Sequence, residues 1–325
     1  MTPLERKAAF LAGRELDHPP LTLFHPQFAA QIMGLPYILS YKDPETLARR
    51  EINMYRSFGV DEVNVMYVSL KLNSARLMHK LKDVSLFDGS VYEYDLDRQQ
   101  QVNHQALEMI HAEIGQEVCL NYGLAGPLTL ARSVMPIEEI LKGMRKKPEL
   151  VHQLLGEIIL VLKRMVDRFA DIPNLTYFIY DPVASGDLIS PKNYQEFALP
   201  YEKELVQHIN KYTRDVALHI CGDTSKELSL MADTGVAALS LDQVVDLAFA
   251  KEQVGDRVIL MGNVDPVKVL LQGNPEQVAQ AVRNCYEKAG DSPKGFILRS
   301  GCGVPYATPK ANVQAFMEAG RALLL

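Results

Sequence analysis

The sequence lacks the features of nucleic-acid-binding, membrane-spanning and disulfide-stapled proteins. Its 325 residues include 34 basic and 40 acidic side chains, a formal net charge of −6, whereas nucleic-acid binders usually carry a basic surplus. No apolar run reaches the roughly 18 residues of a membrane span, and the first residues predict an amphipathic helix rather than a signal peptide. Four cysteines are too few for a disulfide framework in a chain of this length, so we expect a reducing, cytoplasmic location.

Motifs of several common enzyme classes are also missing. The sequence contains no Walker or GxGxxG phosphate loop and no GxSxG nucleophile elbow, which excludes the commonest nucleotide-binding and hydrolase classes. No Lys or Arg occurs between Arg14 and Lys42. No Gly/Ser-rich linker interrupts the chain, and we therefore expect a single domain over residues 1–325.

Eight short apolar runs, separated mostly by helical patterns, predict an α/β fold with a closed parallel (β/α)8 barrel. The runs are Leu21–Phe24, Asp61–Tyr67, Val118–Tyr122, Thr176–Tyr180, Val216–Cys221, Val236–Leu241, Val258–Gly262 and Gly295–Ser300. A capping box at Thr2 and Glu5 predicts an N-terminal helical extension. Residues 68–100 predict an insertion with a hairpin around Asp88-Gly89. A two-domain doubly wound protein is the alternative, but no boundary for it is visible.

The strand ends carry polar residues, at the face where barrel enzymes place their active sites. They are His25, Asn64, Asn121, Asp181, His219, Cys221, Asp242, Asn263 and Cys302. Since side chains two apart on a strand share one side, His219 and Cys221 are expected to face the same point. With Cys302 as third ligand they predict a catalytic zinc site with an open position. A hydrogen-bonded core histidine and two small buried cysteines are the alternative.

Three further residues are candidate catalytic groups beside that site. Asp242 ends the next strand and could be a fourth ligand or a partner of His219, or it could be an ordinary helix cap or salt-bridge partner. Asn263 could donate a hydrogen bond into the cavity or form a turn. Asp181 could handle a proton or bind substrate, or it could cap the loop at Ser185-Gly186.

Six stretches together resemble the uroporphyrinogen decarboxylase superfamily, and within it the zinc methyltransferases of corrinoid systems. They are GLAGPLTLA (123–131), DPVASGDLISP (181–191), LHICG (218–222), ALSLDQ (238–243), GNVDP (262–266) and SGCGVPYATPKAN (300–312). The resemblance implies a (β/α)8 barrel with zinc on His219, Cys221 and Cys302, and an acidic group near the metal at Asp242. It also implies a separate corrinoid protein as partner.

The resemblance leads us to expect methyl transfer between a corrinoid protein and a small molecule held at zinc. The small molecule is a thiol such as coenzyme M, or a methyl donor such as a methyl ether or methylamine that methylates Co(I). The decarboxylase branch fits poorly, because the N-terminal arginines that would hold a polycarboxylate tetrapyrrole are missing. A barrel that binds metal or corrinoid without turnover is the non-enzyme alternative.

Overall fold

The computed structural model describes residues 1–66 and 93–324, whose strands form one curved parallel sheet. Each strand pairs with its neighbour in chain order. The strands are β1 (Glu62–Met66), β2 (Cys119–Ala125), β3 (Leu175–Tyr180), β4 (Val216–Ile220), β5 (Ala238–Leu241), β6 (Ile259–Val264) and β7 (Phe296–Ser300). Residues of β3, β4 and β5 are buried along their whole length, as expected where a parallel sheet is covered on both faces.

Helices connect the strands and cover the outside of the sheet. They are α1 (Pro3–Leu11), α2 (Pro26–Ile32), α3 (Pro44–Phe58), α4 (Glu93–Ile114), α5 (Pro127–Ala131), α6 (Ile137–Lys146), α7 (Pro148–Arg168), α8 (Pro191–Asn193), α9 (Leu199–Ile209), α10 (Leu228–Ala232), α11 (Leu247–Val254), α12 (Pro275–Ala289) and α13 (Lys310–Arg321). The segments Tyr194–Ala198 and Pro266–Leu271 are π-helical. Within the described ranges, no helix combines the length and apolarity needed to cross a bilayer.

Local sequence signals set several helix boundaries. The Thr2 side chain accepts from the Glu5 amide while the Glu5 carboxylate accepts from the Thr2 amide, which confirms the predicted capping box of α1. Asn274 and Gln277 form the same arrangement at the start of α12. In α7, apolar side chains recur every three to four residues and are buried against the barrel, as an amphipathic helix requires.

The barrel closes through residues 20–24, where the first strand was predicted. Leu21 forms a single parallel bridge with Leu298 of β7, and the Thr22 amide donates to the Leu298 carbonyl at 3.0 Å. On the other side, the Asp61 amide donates to the Leu21 carbonyl at 2.9 Å. Prolines at 19, 20 and 26 bound this segment and cannot donate to a ladder, so the predicted strand is reduced to a bridge. The eight-position barrel is confirmed.

A buried charge network beside the bridge joins this short segment to β1. The Glu51 carboxylate of α3 accepts from His25 Nε2 at 2.9 Å, the Asn64 amide at 2.8 Å and Arg50 Nε at 2.8 Å. Burial alone would raise the pKa of Glu51, but Arg50 and His25 outweigh it and lower the pKa to about 2. His25 therefore lies in this network, and its side chain is fully buried.

The predicted hairpin insertion lies largely outside the described residues. Its described part, from Glu93 onward, belongs to α4 rather than to a hairpin. Glu93 and Tyr94 are therefore helical.

We expect Glu51→Gln to lower the free energy of unfolding by about 3–5 kcal/mol, because it leaves Arg50 buried without its counter-charge. The control is Glu139→Gln, which removes an exposed ion pair with Lys142 and should cost less than about 1 kcal/mol. Urea denaturation at neutral pH followed by circular dichroism measures both. Equal effects of the two substitutions would contradict this account of closure.

Candidate metal centre

Strand β4 ends in two of the three predicted ligands, and a glycine turns the chain directly after them. His219 lies within β4 and Cys221 follows its last residue. Gly222 has a φ of +83°, a left-handed conformation that side chains with a Cβ rarely adopt. A Cβ there would lie 2.1 Å from Oδ2 of Asp187. The turn therefore needs glycine at the point where β4 leaves the sheet.

The three predicted ligands lie together at the barrel mouth. Cys221 Sγ is 3.3 Å from His219 Nε2 and 3.7 Å from Cys302 Sγ, and the three ligand atoms lie within 4.8 Å of one another. Two sulfurs bound to one tetrahedral zinc at ~2.3 Å are about 3.8 Å apart. The spacing of the side chains thus matches a Cys2His zinc site.

The backbone of β5 orients His219 for that role. His219 Nδ1 lies 3.0 Å from the carbonyl oxygen of Ser240, its register partner on β5. A carbonyl can only accept, so Nδ1 carries a proton and Nε2 is the ring nitrogen that faces the cysteines and can bind a metal. The ring is 2% exposed, so this orientation is fixed by packing as well as by the hydrogen bond.

Cys302 lies in the loop after β7, directly after a residue whose backbone packs closely against the backbone of Gln243. The Gly301 amide donates to the Val264 carbonyl at 2.8 Å. A Cβ at position 301 would lie 2.6 Å from the Gln243 backbone nitrogen. Only glycine fits there, because a backbone atom cannot yield as a flexible side chain can. Gly301 therefore sets the position of the third ligand.

The pKa values of the two thiols are shifted in opposite directions. A hydrogen bond from Cys221 and the nearby His219 lower the pKa of Cys302 to about 4, although burial opposes the shift. The same hydrogen bond, together with burial, raises the pKa of Cys221. The thiolate, rather than the thiol, is the form of cysteine that acts as a nucleophile or binds a metal.

Asp242 lies beside the site, as the sequence predicts. Its Oδ2 accepts from the Gly222 amide at 3.0 Å and its Oδ1 from the Val244 amide at 3.2 Å. Burial raises its pKa. Both oxygens therefore hold backbone amides, one of them in the turn that follows Cys221, and Asp242 is not part of the three-ligand group.

The amide nitrogen of the Asn263 side chain bonds to the backbone of a loop rather than to the three candidate ligands. Its Nδ2 donates to the carbonyls of Asp242 at 3.0 Å and Val245 at 2.7 Å. The Cys285 thiol lies 3.8 Å from its Oδ1. Asn263 thus secures the loop that carries Asp242.

Asp181 is fully buried and holds the start of α5. Its carboxylate accepts from the amides of Leu128 at 3.1 Å and Thr129 at 2.7 Å, and from the Thr129 hydroxyl at 2.6 Å. Burial raises its pKa to about 6. The helix it caps lies within the 123–131 motif, whereas the capping alternative named the Ser185-Gly186 loop.

A cavity of about 230 Å³ opens beside His219 and Cys221. Most of its described lining is apolar, with one guanidinium. The lining residues are Phe24, Met66, Leu124, Ala125, Thr129, Leu130, Arg132, Ser133, Tyr180, Pro182, His219 and Cys221. This volume is below the roughly 300–1,000 Å³ typical of pockets for drug-sized ligands. It therefore suits a small molecule.

The sequence reasoning missed the polar network under the cavity. The Tyr180 hydroxyl accepts from Asn64 and from Arg299, each at 3.3 Å. Arg299 is 1% exposed and lies 4.2 Å from the Phe178 ring centre. Asn64 also donates to Asn121 at 2.8 Å, so both asparagines lie in the barrel interior. An arginine within the apolar run FILRS was the signal for this network.

We expect Gly301→Ala to lower the free energy of unfolding by about 1–3 kcal/mol and to change the reactivity of Cys302 toward a thiol reagent. The reason is that the added Cβ must push the loop away from Gln243. Gly156→Ala, in α7, has nothing within 4 Å of the new Cβ and should be neutral or stabilising by up to about 1 kcal/mol. Unchanged thiol kinetics and stability in Gly301→Ala would contradict the assigned backbone approach.

Known proteins with similar sequences include corrinoid methyltransferases and decarboxylases. The methylcobamide:CoM methyltransferase MtbA of Methanosarcina acetivorans is 34% identical over 247 residues, covering 75% of this chain and 67% of that protein. MtbA of Methanosarcina mazei is 30% identical over 342 aligned positions, covering 98% of each. Uroporphyrinogen decarboxylase 2 of Oryza sativa is 29% identical over 226 residues, covering 67% of this chain and 56% of that protein.

A solved structure has the same fold over the whole length. A methyltransferase from Methanosarcina mazei superposes with a TM-score of 0.85 at 23% identity and covers 100% of both chains. The model of the family described as Uroporphyrinogen decarboxylase (URO-D) matches residues 2–323. The chain belongs to the uroporphyrinogen decarboxylase family.

Proposed function

We propose that this protein is a zinc-dependent methyltransferase that moves a methyl group from a corrinoid protein to a small thiol. The observation that carries the proposal is the convergence of one imidazole and two cysteine sulfurs at the edge of a small cavity. The relatives named methylcobamide:CoM methyltransferases, one of them 30% identical over 98% of the chain, support the reaction class.

The donor set fits zinc as the metal. Two sulfurs and one imidazole are borderline-soft ligands, which favour Zn²⁺ over Mg²⁺ or Ca²⁺, and three protein ligands leave a fourth position for substrate. Zinc bound there would hold a substrate thiol as thiolate, and the two cysteine thiolates would cancel its charge so that the sulfur stays nucleophilic. All four cysteines are free, which supports the reducing cytoplasm as the location.

The proposed reaction exchanges one carbon–cobalt bond for one carbon–sulfur bond. The thiol loses its proton to solvent and its sulfur attacks the methyl carbon in line. The carbon–cobalt bond breaks with both electrons remaining on the metal, so that Co(III) becomes Co(I). The barrel mouth must therefore admit the corrinoid of a partner protein while the cavity beside His219 holds the thiol.

Three of the candidate residues act by positioning in this scheme. Asp242 fixes the Gly222 amide and with it the turn after Cys221. Asn263 secures the Asp242 loop through two backbone carbonyls. Asp181 anchors α5, which forms one wall of the cavity.

The described cavity favours a small substrate over a tetrapyrrole. Several carboxylates would need several cations, and Arg132 is the one Lys or Arg among the described lining residues. In the alternative reaction, a methyl ether or methylamine would methylate Co(I) at the same site, with the corrinoid as methyl acceptor. The second assay below tests it.

We expect the purified protein to contain about one zinc per chain and to transfer methyl from methylcobalamin to 2-mercaptoethanesulfonate. Cys302→Ala should lose most of the zinc and lower the rate at least about 100-fold, since even groups that support metal ligands cost up to that much. Zinc content is measured by mass spectrometry, the rate by the absorbance of methylcobalamin, and the thioether product by chromatography.

The control is Cys119→Ala, which removes a buried cysteine of β2 outside the three-ligand group and should keep zinc and rate. Decarboxylation of uroporphyrinogen would overturn the proposal, as would full turnover in Cys302→Ala. Methylation of a Co(I) corrinoid by methyl ethers or methylamines, with no reaction of thiols, would replace it with the reverse function.

A further inference from the structure

Arg132 is the one permanent cation among the described residues that line the cavity beside His219 and Cys221. It follows the last residue of α5, and its backbone amide donates to the Leu128 carbonyl at 3.2 Å. Since Asp181 anchors the other end of this short helix, the position of Arg132 is set from the barrel itself. Its side chain is exposed.

The Arg132 guanidinium has no hydrogen-bond or ion-pair partner among the described residues. Several other arginines of this part of the chain are in ion pairs, as Arg6 is with Asp17 and Arg257 with Asp233. A guanidinium offers five N–H donors in a planar fork that matches carboxylate-like oxyanions. An unpaired one at the rim of a cavity is available to a ligand.

The other polar groups of the described lining are already engaged. The Thr129 hydroxyl donates to Asp181 at 2.6 Å and accepts from the Val183 amide at 3.2 Å. The Ser133 hydroxyl donates to the Leu130 carbonyl at 2.5 Å. The Tyr180 hydroxyl oxygen accepts two hydrogen bonds from the barrel interior, which leaves its own O–H as a single neutral donor. Arg132 therefore supplies the cationic donors with which the described lining can bind a negative group.

The rest of the cavity offers little to the negative tail of an anionic substrate. With zinc bound, the two cysteine thiolates would cancel the charge of the metal, so the metal end would not attract a second negative charge. Asp242 lies next to Cys221, and the apolar walls of the cavity cannot solvate an anion. A cation in the cavity lining supplies the missing attraction.

We infer that Arg132 binds the negatively charged tail of the substrate, a sulfonate or a carboxylate, and so selects anionic thiols over neutral ones. This inference rests on the proposed function, because it places the thiol of the same molecule at the metal site. It assigns to Arg132 the choice of substrate and leaves methyl transfer to the groups at the metal end.

In the methylcobalamin assay we expect Arg132→Ala to raise KM for 2-mercaptoethanesulfonate about tenfold, the usual cost of one charge-assisted hydrogen bond. KM for 2-mercaptoethanol should change less than about twofold, since the neutral thiol lacks the group that Arg132 binds. Arg132→Lys should restore much of the difference because it keeps the charge. Arg145→Ala, an exposed arginine at the end of α6, is the matched control and should leave both values unchanged.

A carboxylate arm with 3-mercaptopropionate distinguishes the two tails, the larger effect of Arg132→Ala identifying the preferred one. Binding of 1-propanesulfonate, which has no thiol, is measured by calorimetry and should weaken about tenfold in Arg132→Ala whether or not methyl transfer occurs. If the unsubstituted protein binds 1-propanesulfonate but transfers no methyl group, the proposed function is overturned and the role of Arg132 is not. Equal effects on charged and neutral thiols, an effect on KM for methylcobalamin alone, or unchanged sulfonate binding would overturn the role of Arg132.

Discussion

Closure of the parallel barrel is the constraint on which the candidate metal centre depends. His219 and Cys221 come from β4, and Cys302 comes from the loop after β7. These elements are far apart in sequence, and they meet because every strand of a parallel barrel presents its carboxyl end at one mouth. The closing segment forms only one bridge to β7. On the other side, the Asp61 amide donates to the Leu21 carbonyl, and the Glu51 network joins His25 to β1 inside the protein.

Backbone groups, rather than other side chains, hold the site in shape. The Ser240 carbonyl fixes the tautomer of His219. Asp242 accepts from two backbone amides, and Asn263 donates to two carbonyls of the same loop. The Ser240 carbonyl is placed by the register of β4 and β5, whereas the partners of Asp242 and Asn263 lie in the turns that follow these strands. The Asp242 and Asn263 side chains therefore hold the backbone around the three candidate ligands.

Periodicity and strand-end chemistry were sufficient to predict the barrel and the convergence of the three ligands. Side-chain direction was harder, because a polar residue at a strand end can face the mouth, the interior or the next loop. Asn263 and Asn64 are examples: the first bonds to a loop and the second lies in the barrel interior. The reduction of Leu21–Phe24 to a bridge depends on flanking prolines whose effect varies with tertiary pairing. Arg299 was missed because a buried arginine needs partners that are distant in sequence.

The most direct test of the central claim is zinc K-edge X-ray absorption of the purified protein, with and without a substrate thiol. We expect two sulfur ligands at ~2.3 Å and at least one imidazole nitrogen at ~2.0–2.1 Å, and a third sulfur on addition of 2-mercaptoethanesulfonate. In Cys302→Ser, one sulfur should disappear from the resting spectrum. A shell of oxygen and nitrogen alone, or a sulfur count that does not change with thiol, would contradict the account.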